Sequence, residues 1–301
     1  MSIFKFFDES VSQKPTPNVD HKGDVILQLH KNENQRFEIN YHNRFFAMGQ
    51  LMTDIRTTTH WILKKTAPFE DGFWVDLEAE DQQVSNTNPA MNDVIEFAKV
   101  FNYPTRMLVL KLSPSGYIER VLNQEEILER WVEIKSDALK SLEETDSDRQ
   151  ILKNGDIQFS NTLPSLKQTQ LYNIFFGPFY GAKKEGDGHI VYNGQYGSQL
   201  FQNTLINYQV NEKVISVKPD TSTIAHSTVL SNVPETLEII KKMYDEMYKQ
   251  LCGPDFNYQY KLDSQYDIDT VTGLINKSTS TFLEKANDGL YYQTDYSIKR
   301  I

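Results

Sequence analysis

Alternating apolar and polar positions run through most of this chain and predict strands. Val25, Leu27 and Leu29 alternate with Ile26, Gln28 and His30, and Phe37, Ile39 and Tyr41 with Arg36, Glu38 and Asn40, which predicts a hairpin across the polar residues 31–35. A longer β segment from Phe46 to Lys65 carries Thr57, Thr58, Thr59 and Trp61, and a turn over 68–72 leads into a strand over 73–78. Met107–Leu112 and Tyr117–Leu122 flank Ser113-Pro114-Ser115-Gly116, a composition that reverses the chain between paired strands. Strands at His189–Tyr192, Leu205–Val210, Val214–Val217 and Ser222–Leu230 form a meander, with Asn211-Glu212-Lys213 as one of its turns. Towards the C-terminus Phe256, Tyr258, Tyr260 and Leu262 alternate strictly with polar residues. Tyr266–Thr270 and Leu274–Leu283 meet across Val271-Thr272-Gly273, and a last strand passes through Tyr292, Thr294, Tyr296 and Ile298.

Helical spacing interrupts this pattern in four places. Asn88-Pro89 starts a helix carrying Met91, Val94, Ile95, Ala98 and Phe101, which stops before Pro104. Asn123 caps a second with Ile127, Trp131, Ile134, Ala138 and Leu142 on one face. A third, shorter one contains Leu166, Gln170, Leu171, Ile174 and Phe175, and a fourth runs from Pro234 to Leu251 before Gly253-Pro254. The expected fold class is therefore α+β: a mainly antiparallel, strongly curved, half-barrel-like sheet packed with three or four amphipathic helices, because so many strands exceed what a flat sheet tolerates. Residues 1–23 read as an irregular leader. Residues 24–301 read as one β-rich domain, or as two similar halves meeting near the charged stretch 143–156.

Composition narrows the function classes. The chain has 41 acidic and 31 basic residues and a formal net charge of -10, and its basic pairs do not interleave with aromatics, so nucleic acid is not an expected partner. Cys252 is the only cysteine, which excludes an intrachain disulfide and fits a reducing, cytoplasmic setting. No run of about 18 apolar residues is present, so no membrane-spanning helix is expected. Ile3, Phe4, Phe6 and Phe7 are too soon followed by acidic residues to read as a signal peptide.

Candidate chemistry is sparse. Asp267-x-Asp269 before Gly273 has a superficial likeness to a calcium loop, but the remaining oxygen ligands are out of place, and two carboxylates at i and i+2 are what a wet strand face presents. The histidines at 21, 30, 42, 60, 189 and 226 lack metal-site spacing; His60 and His226 are the two that a curled sheet could turn towards an enclosed cavity. No Gly-x-Ser-x-Gly elbow and no phosphate loop occurs, and Gly194-Gln195-Tyr196-Gly197 is too β-like to be one. These patterns point to no catalytic residue, no metal and no cofactor. The one concentration of rings that element periodicity does not absorb is Phe175-Phe176-Gly177-Pro178-Phe179-Tyr180. It reads either as a loop packed on the core or, through Phe175, Phe176, Phe179 and Tyr180, as a surface for a partner or ligand.

The order helix, strand, Ser113-Pro114-Ser115-Gly116, strand, helix, with Asp269-Thr270-Val271-Thr272-Gly273-Leu274-Ile275 in a terminal meander, resembles uncharacterised bacterial half-barrel proteins of lipoprotein type. The resemblance covers the region from Met91 to Ala138 and the terminal meander, and the chain departs from it in having no signal peptide or lipidation cysteine. What it implies is a binding or carrier scaffold with no catalytic residues to transfer. The leading expectation is a non-enzymatic protein that binds a protein partner or a small apolar ligand on the concave sheet face. The alternatives are an enzyme whose dispersed histidines and carboxylates converge in the fold, and a structural subunit of a larger assembly.

Overall fold

The computed structural model describes residues 25–86, 88–139, 146–181, 183–184, 189–201, 204–231 and 233–301. The leader expected before residue 24, His21 and most of the charged loop at 183–188 lie outside them. In chain order the strands are β1 (Val25–Ile26), β2 (Asn32–Ala47), β3 (Gln50–Phe69), β4 (Gly72–Ala79), β5 (Gln83–Asn86), β6 (Met107–Leu112), β7 (Ile118–Val121), β8 (Lys183–Lys184), β9 (His189–Gly197), β10 (Leu205–Val217), β11 (Thr221–Leu230), β12 (Gln259–Asp269), β13 (Ile275–Asn287) and β14 (Leu290–Arg300). The helices are α1 (Asn92–Asn102), α2 (Gln124–Ser136), α3 (Asp146–Ser160), α4 (Leu163–Gln168), α5 (Gln170–Phe175), α6 (Val233–Met247) and α7 (Lys249–Cys252). All the described strand pairs are antiparallel, and the class is α+β as the periodicity predicts.

One 12-stranded sheet runs in the order β7-β6-β4-β3-β2-β14-β13-β12-β11-β10-β9, with β5 alongside β3. The last strand of the chain pairs with β2, Tyr296 opposite Tyr41, so the N-terminal and C-terminal strands share this sheet. Of the stretch 143–156, the part from Asp146 onwards is helix α3.

The sheet is open but curls until its edges meet. Tyr117, just ahead of β7, stacks on Tyr192 of β9 with centroids 3.9 Å apart, and α4 lies against both edge strands. Covering an edge in this way removes a template for unwanted strand pairing. Gly194 in β9 makes room for its cross-strand partner on β10, because a Cβ there would stand 2.4 Å from the ring of Tyr208.

Four local expectations are corrected. The first hairpin is β2–β3, not a pairing of Val25–Leu29 with Phe37–Tyr41; β1 is only two residues long and pairs with β8, while Leu27 and Leu29 are buried without being strand. Its turn is Met48-Gly49, with φ of 52° and 71°, inside what the sequence reads as continuous β. Two consecutive positive φ values suit the right-handed twist of a hairpin, and a methionine there hides the turn from composition. Asn123 does not cap α2: its Oδ1 accepts from Val109 N at 2.8 Å and its Nδ2 donates to the Met107 carbonyl at 3.0 Å, tying the helix entry to β6. Finally, Asn211-Glu212-Lys213 is no turn but the middle of β10, and the expected strand Val214–Val217 is its second half.

The inner face of the sheet is lined by the alternating residues, among them Phe37, Ile39, Trp61, Leu63, Tyr208, Ile224, Tyr266, Phe282 and Ile298, all at most 3 % exposed. The outer face carries Arg36, Glu38, His42, Arg44, Arg56 and Asp295, joined in cross-strand pairs such as His42–Asp54 at 2.7 Å and Arg36–Glu80 at 2.6 Å. A lipid-facing β surface would carry an apolar band instead. Among the described residues no helix is long and apolar enough to cross a membrane.

Candidate functional site

Helices α4 and α5 and the loop after them cross the concave face and divide the space inside the curl. On one side the loop fills it. Phe175 lies edge-on to Phe37 at 4.9 Å and to Trp61 at 5.0 Å, Phe179 packs on Tyr266 at 4.8 Å, and Tyr180 meets Phe73 at 5.6 Å. Phe175, Phe176, Phe179 and Tyr180 are all 8 % exposed or less, and none of them lines the large cavity described below. These rings form a plug in the core, so the reading of them as a surface for a partner gives way to the packed-loop reading. The backbone secures it: Tyr180 N donates to the Ser115 carbonyl at 3.1 Å, and the Tyr180 hydroxyl to the Gly273 carbonyl at 2.8 Å.

Behind the plug Glu212 and His226 are direct cross-strand partners on β10 and β11, both on the inner face, with Oε2 and Nε2 3.0 Å apart. His226 also lies parallel to the Phe179 ring at 5.6 Å. The residual space, bordered by Tyr117, Tyr192, Tyr208 and Tyr266, is about 20 Å³, room for one water and no larger molecule. His226 thus does face inward, into a closed space. His60 points outward instead, 3.6 Å from Glu80 and 4.0 Å from Glu38.

On the other side the space stays open. A cavity of about 580 Å³ lies between the inner face of β2, β3, β13 and β14, the end of β9, and the segment from Gln168 to Tyr172. The sheet contributes Tyr41 and Tyr296, 6.1 Å apart, together with Tyr292, Tyr196 and Phe282; α5 contributes Tyr172, whose ring is 5.1 Å from Trp61. Amides stand among the rings. Asn43 Oδ1 accepts from the Tyr292 hydroxyl at 3.0 Å and from Thr294 at 2.8 Å, which holds that phenol against the wall. Gln170 donates through Nε2 to the Tyr260 hydroxyl at 2.8 Å.

Two buried polar atoms in this wall, Gln170 Oε1 and Tyr196 Oη, have no hydrogen-bond partner in the protein, a condition that asks for an explanation in a folded chain. Burial pushes the phenols of Tyr41, Tyr172, Tyr292 and Tyr296 up, and that of Tyr196 well up, so all five keep their protons and remain able to donate. Charge is confined to the mouth. There Lys99 pairs with Glu96 at 2.7 Å, and Arg106 stands 3.6 Å from Glu78 and 3.9 Å from Asp81. Among the described residues lining the cavity there is no histidine or cysteine.

The Asp267 and Asp269 carboxylates are engaged in the fold. Asp267 accepts from Thr223 at 2.8 Å, and Asp269 accepts from Val271 N and Thr272 N at 2.9 Å each and from Arg300 at 2.7 Å. Burial acts to raise the Asp269 carboxyl, but Arg300 and the two N–H groups hold it below its ordinary value.

No family model matches the chain, and no curated protein matches it. Among solved structures, an outer membrane channel from Pseudomonas putida F1 aligns over 92% of this chain and 98% of that one, at 6% identity and a TM-score of 0.16, a likeness that carries no argument about fold or function.

Proposed function

We propose that the protein is a non-enzymatic binding protein that holds a small molecule against the concave face of its sheet. The observation that supports this is the cavity of about 580 Å³, which lies in the size range of small-molecule sites and combines aromatic walls with a few convergent polar groups. Its phenols and amides favour an amphipathic ligand over the purely apolar one expected from the sequence. Acid–base chemistry gains little support here, since the inward-facing histidine belongs to the closed side. One cysteine in the chain fits a reducing compartment, and a cytoplasmic site of action is part of this reading.

Native mass spectrometry of the protein purified gently from its own cells tests it. The expected result is a small adduct that leaves on denaturation. A bare mass throughout, together with no shift of thermal midpoint across a small-molecule library, would sink the proposal. A stoichiometric protein adduct would replace it with the reading as a subunit of an assembly.

A further inference from the structure

We infer that the connection between β9 and β10 is a strap across the inside of the curl and that the Glu284 carboxyl is its latch, holding it while protonated and loosening when it ionises.

Placement carries it. Three strands, β10 to β12, separate β9 from β13 in the sheet, yet the end of β9 reaches over them. The Tyr196 ring packs on Phe282 of β13 at 4.9 Å, and residues 198–201 continue to Glu284, two positions further along the same inner face. There one carboxylate gathers the strap. Its Oε1 accepts from Ser198 Oγ at 2.5 Å and from the Tyr258 hydroxyl at 3.0 Å, and its Oε2 accepts from Gln199 N at 2.8 Å. Ser198 Oγ in turn accepts from Leu200 N at 3.2 Å and from Phe201 N at 2.8 Å, so this whole turn hangs on one side chain. Tyr196 and Gln199 also line the cavity of about 580 Å³, which makes the strap one of its walls. As regulation of a ligand site the latch rests on the binding-protein reading above; the movement itself does not.

A carboxyl so placed is costly to ionise. Glu284 is 0 % exposed, its hydrogen-bond donors are neutral, and among the described residues no lysine, arginine or histidine pairs with it. The titratable groups that face it from β9, from the end of α6, from β12 and the residues just before it, and from β14 are the phenols of Tyr196, Tyr248, Tyr258, Tyr260 and Tyr292. None of them supplies positive charge. Burial pushes the Glu284 carboxyl up, and the hydrogen bonds from Ser198, Gln199, Tyr258 and Leu200 oppose that without cancelling it. The protonated group still binds the strap, because its O–H can donate to Tyr258 Oη while the other oxygen accepts from Gln199 N. With the strap lifted, water reaches the carboxyl and returns it towards its ordinary value of 4.5. Lifting therefore releases a proton, and it grows easier as pH rises from about 4.5 through the higher value of the closed state.

Amide hydrogen exchange of the full chain, followed residue by residue by NMR from about pH 4.5 to about pH 8 and corrected for intrinsic exchange, tests the latch. The opening constant of the Gln199, Leu200 and Phe201 amides is expected to exceed that of the Phe282 amide in β13 and to rise at least about threefold across that range. Glu284→Gln, which cannot ionise, should flatten the rise and hold the strap at the upper pH as firmly as the wild type does at the lower. Ser198→Ala should raise the opening constant of Leu200 and Phe201 at every pH. Strap amides that open only together with Phe282 would overturn the strap, and a pH dependence that is absent from the wild type or survives in Glu284→Gln would overturn the latch. Neither result bears on the occupant of the cavity, which the native mass spectrum decides separately.

Discussion

In front of Tyr266 and His226 the crossing segment leaves about 20 Å³, whereas in front of Tyr41 and Tyr296 the same segment leaves about 580 Å³. Both regions are faced with tyrosines on the inner side of one sheet, so aromatic content does not decide which is a core and which a cavity. The difference lies in what the segment presents. Past Phe175 the chain turns at Gly177-Pro178, and Gly177 allows the tight return because a Cβ there would meet the Phe179 ring at 2.7 Å; the turn drives Phe179 into the sheet. One turn earlier, α5 offers Gln170 and Tyr172, which line space and do not fill it. The filled region encloses the buried hydrogen-bonded pair Glu212–His226. An open one has to keep its walls neutral and wettable.

The largest way to break this contrast is to remove the plug. Phe179→Ala should destabilise the fold by about 4 kcal/mol, as truncation of a fully buried ring does, measured by equilibrium urea unfolding. It should also open the closed side, so that a hydrophobic dye gains a second site. A loss under about 1 kcal/mol would show that the loop rests on the sheet and does not plug it.

Next in size is the hydrogen-bonded Glu212–His226 pair behind the plug. Glu212 is 0 % exposed and His226 7 % exposed, so Glu212→Ala removes one side of a buried hydrogen-bonded pair and should cost about 3 kcal/mol, again by urea unfolding. Ligand affinity in the open cavity should stay unchanged, because neither residue lines it. A coupled loss of affinity would mean that the two sides communicate through the segment between them.

The plug also leans on the β12–β13 turn, since the Tyr180 hydroxyl donates to Gly273, and Asp269 closes that turn through two backbone N–H groups and Arg300. Its carboxyl is held below the ordinary value of 3.8, so the unfolded state takes up the proton first as pH falls, and the stability Asp269 contributes is complete above about pH 4 and lost as pH drops through the lower folded value. Asp269→Asn should therefore cost about 2 kcal/mol at pH 7 and progressively less below pH 4, read from unfolding midpoints across pH. A difference between variant and wild type that does not change with pH would remove the charge from the explanation.

Much of the fold was legible in the sequence, because period-two alternation reports burial wherever one face is dry. Tyr292, Thr294, Tyr296 and Ile298 fell on one face by alternation alone, and that face does point inward. Its mixture of hydroxyls and rings was the available hint of a wet interior. What the sequence hid depended on partners far along the chain. Glu212 continues the inward row Ile206, Tyr208 and Val210, but three polar residues in succession imitate a turn, and its hydrogen-bonding partner His226 lies on the next strand. The cavity itself follows from where α4 and α5 cross the sheet, and no local pattern encodes that. The four-ring cluster was visible, but composition cannot say whether a Gly-Pro turn aims rings inwards or outwards.

The finest test compares the hydroxyls of two neighbouring buried tyrosines. Tyr196 and Tyr260 pack 5.5 Å apart; the Tyr260 hydroxyl receives a hydrogen bond from Gln170, while that of Tyr196 has no partner and is buried. Removing a satisfied hydroxyl strands its donor, so Tyr260→Phe should lower stability by about 1 kcal/mol, whereas Tyr196→Phe relieves an unmet group and should raise it by about 1 kcal/mol, both read from thermal and urea unfolding of the free protein. If Tyr196→Phe destabilises the free protein as much as Tyr260→Phe does, the Tyr196 hydroxyl already has a partner inside the fold.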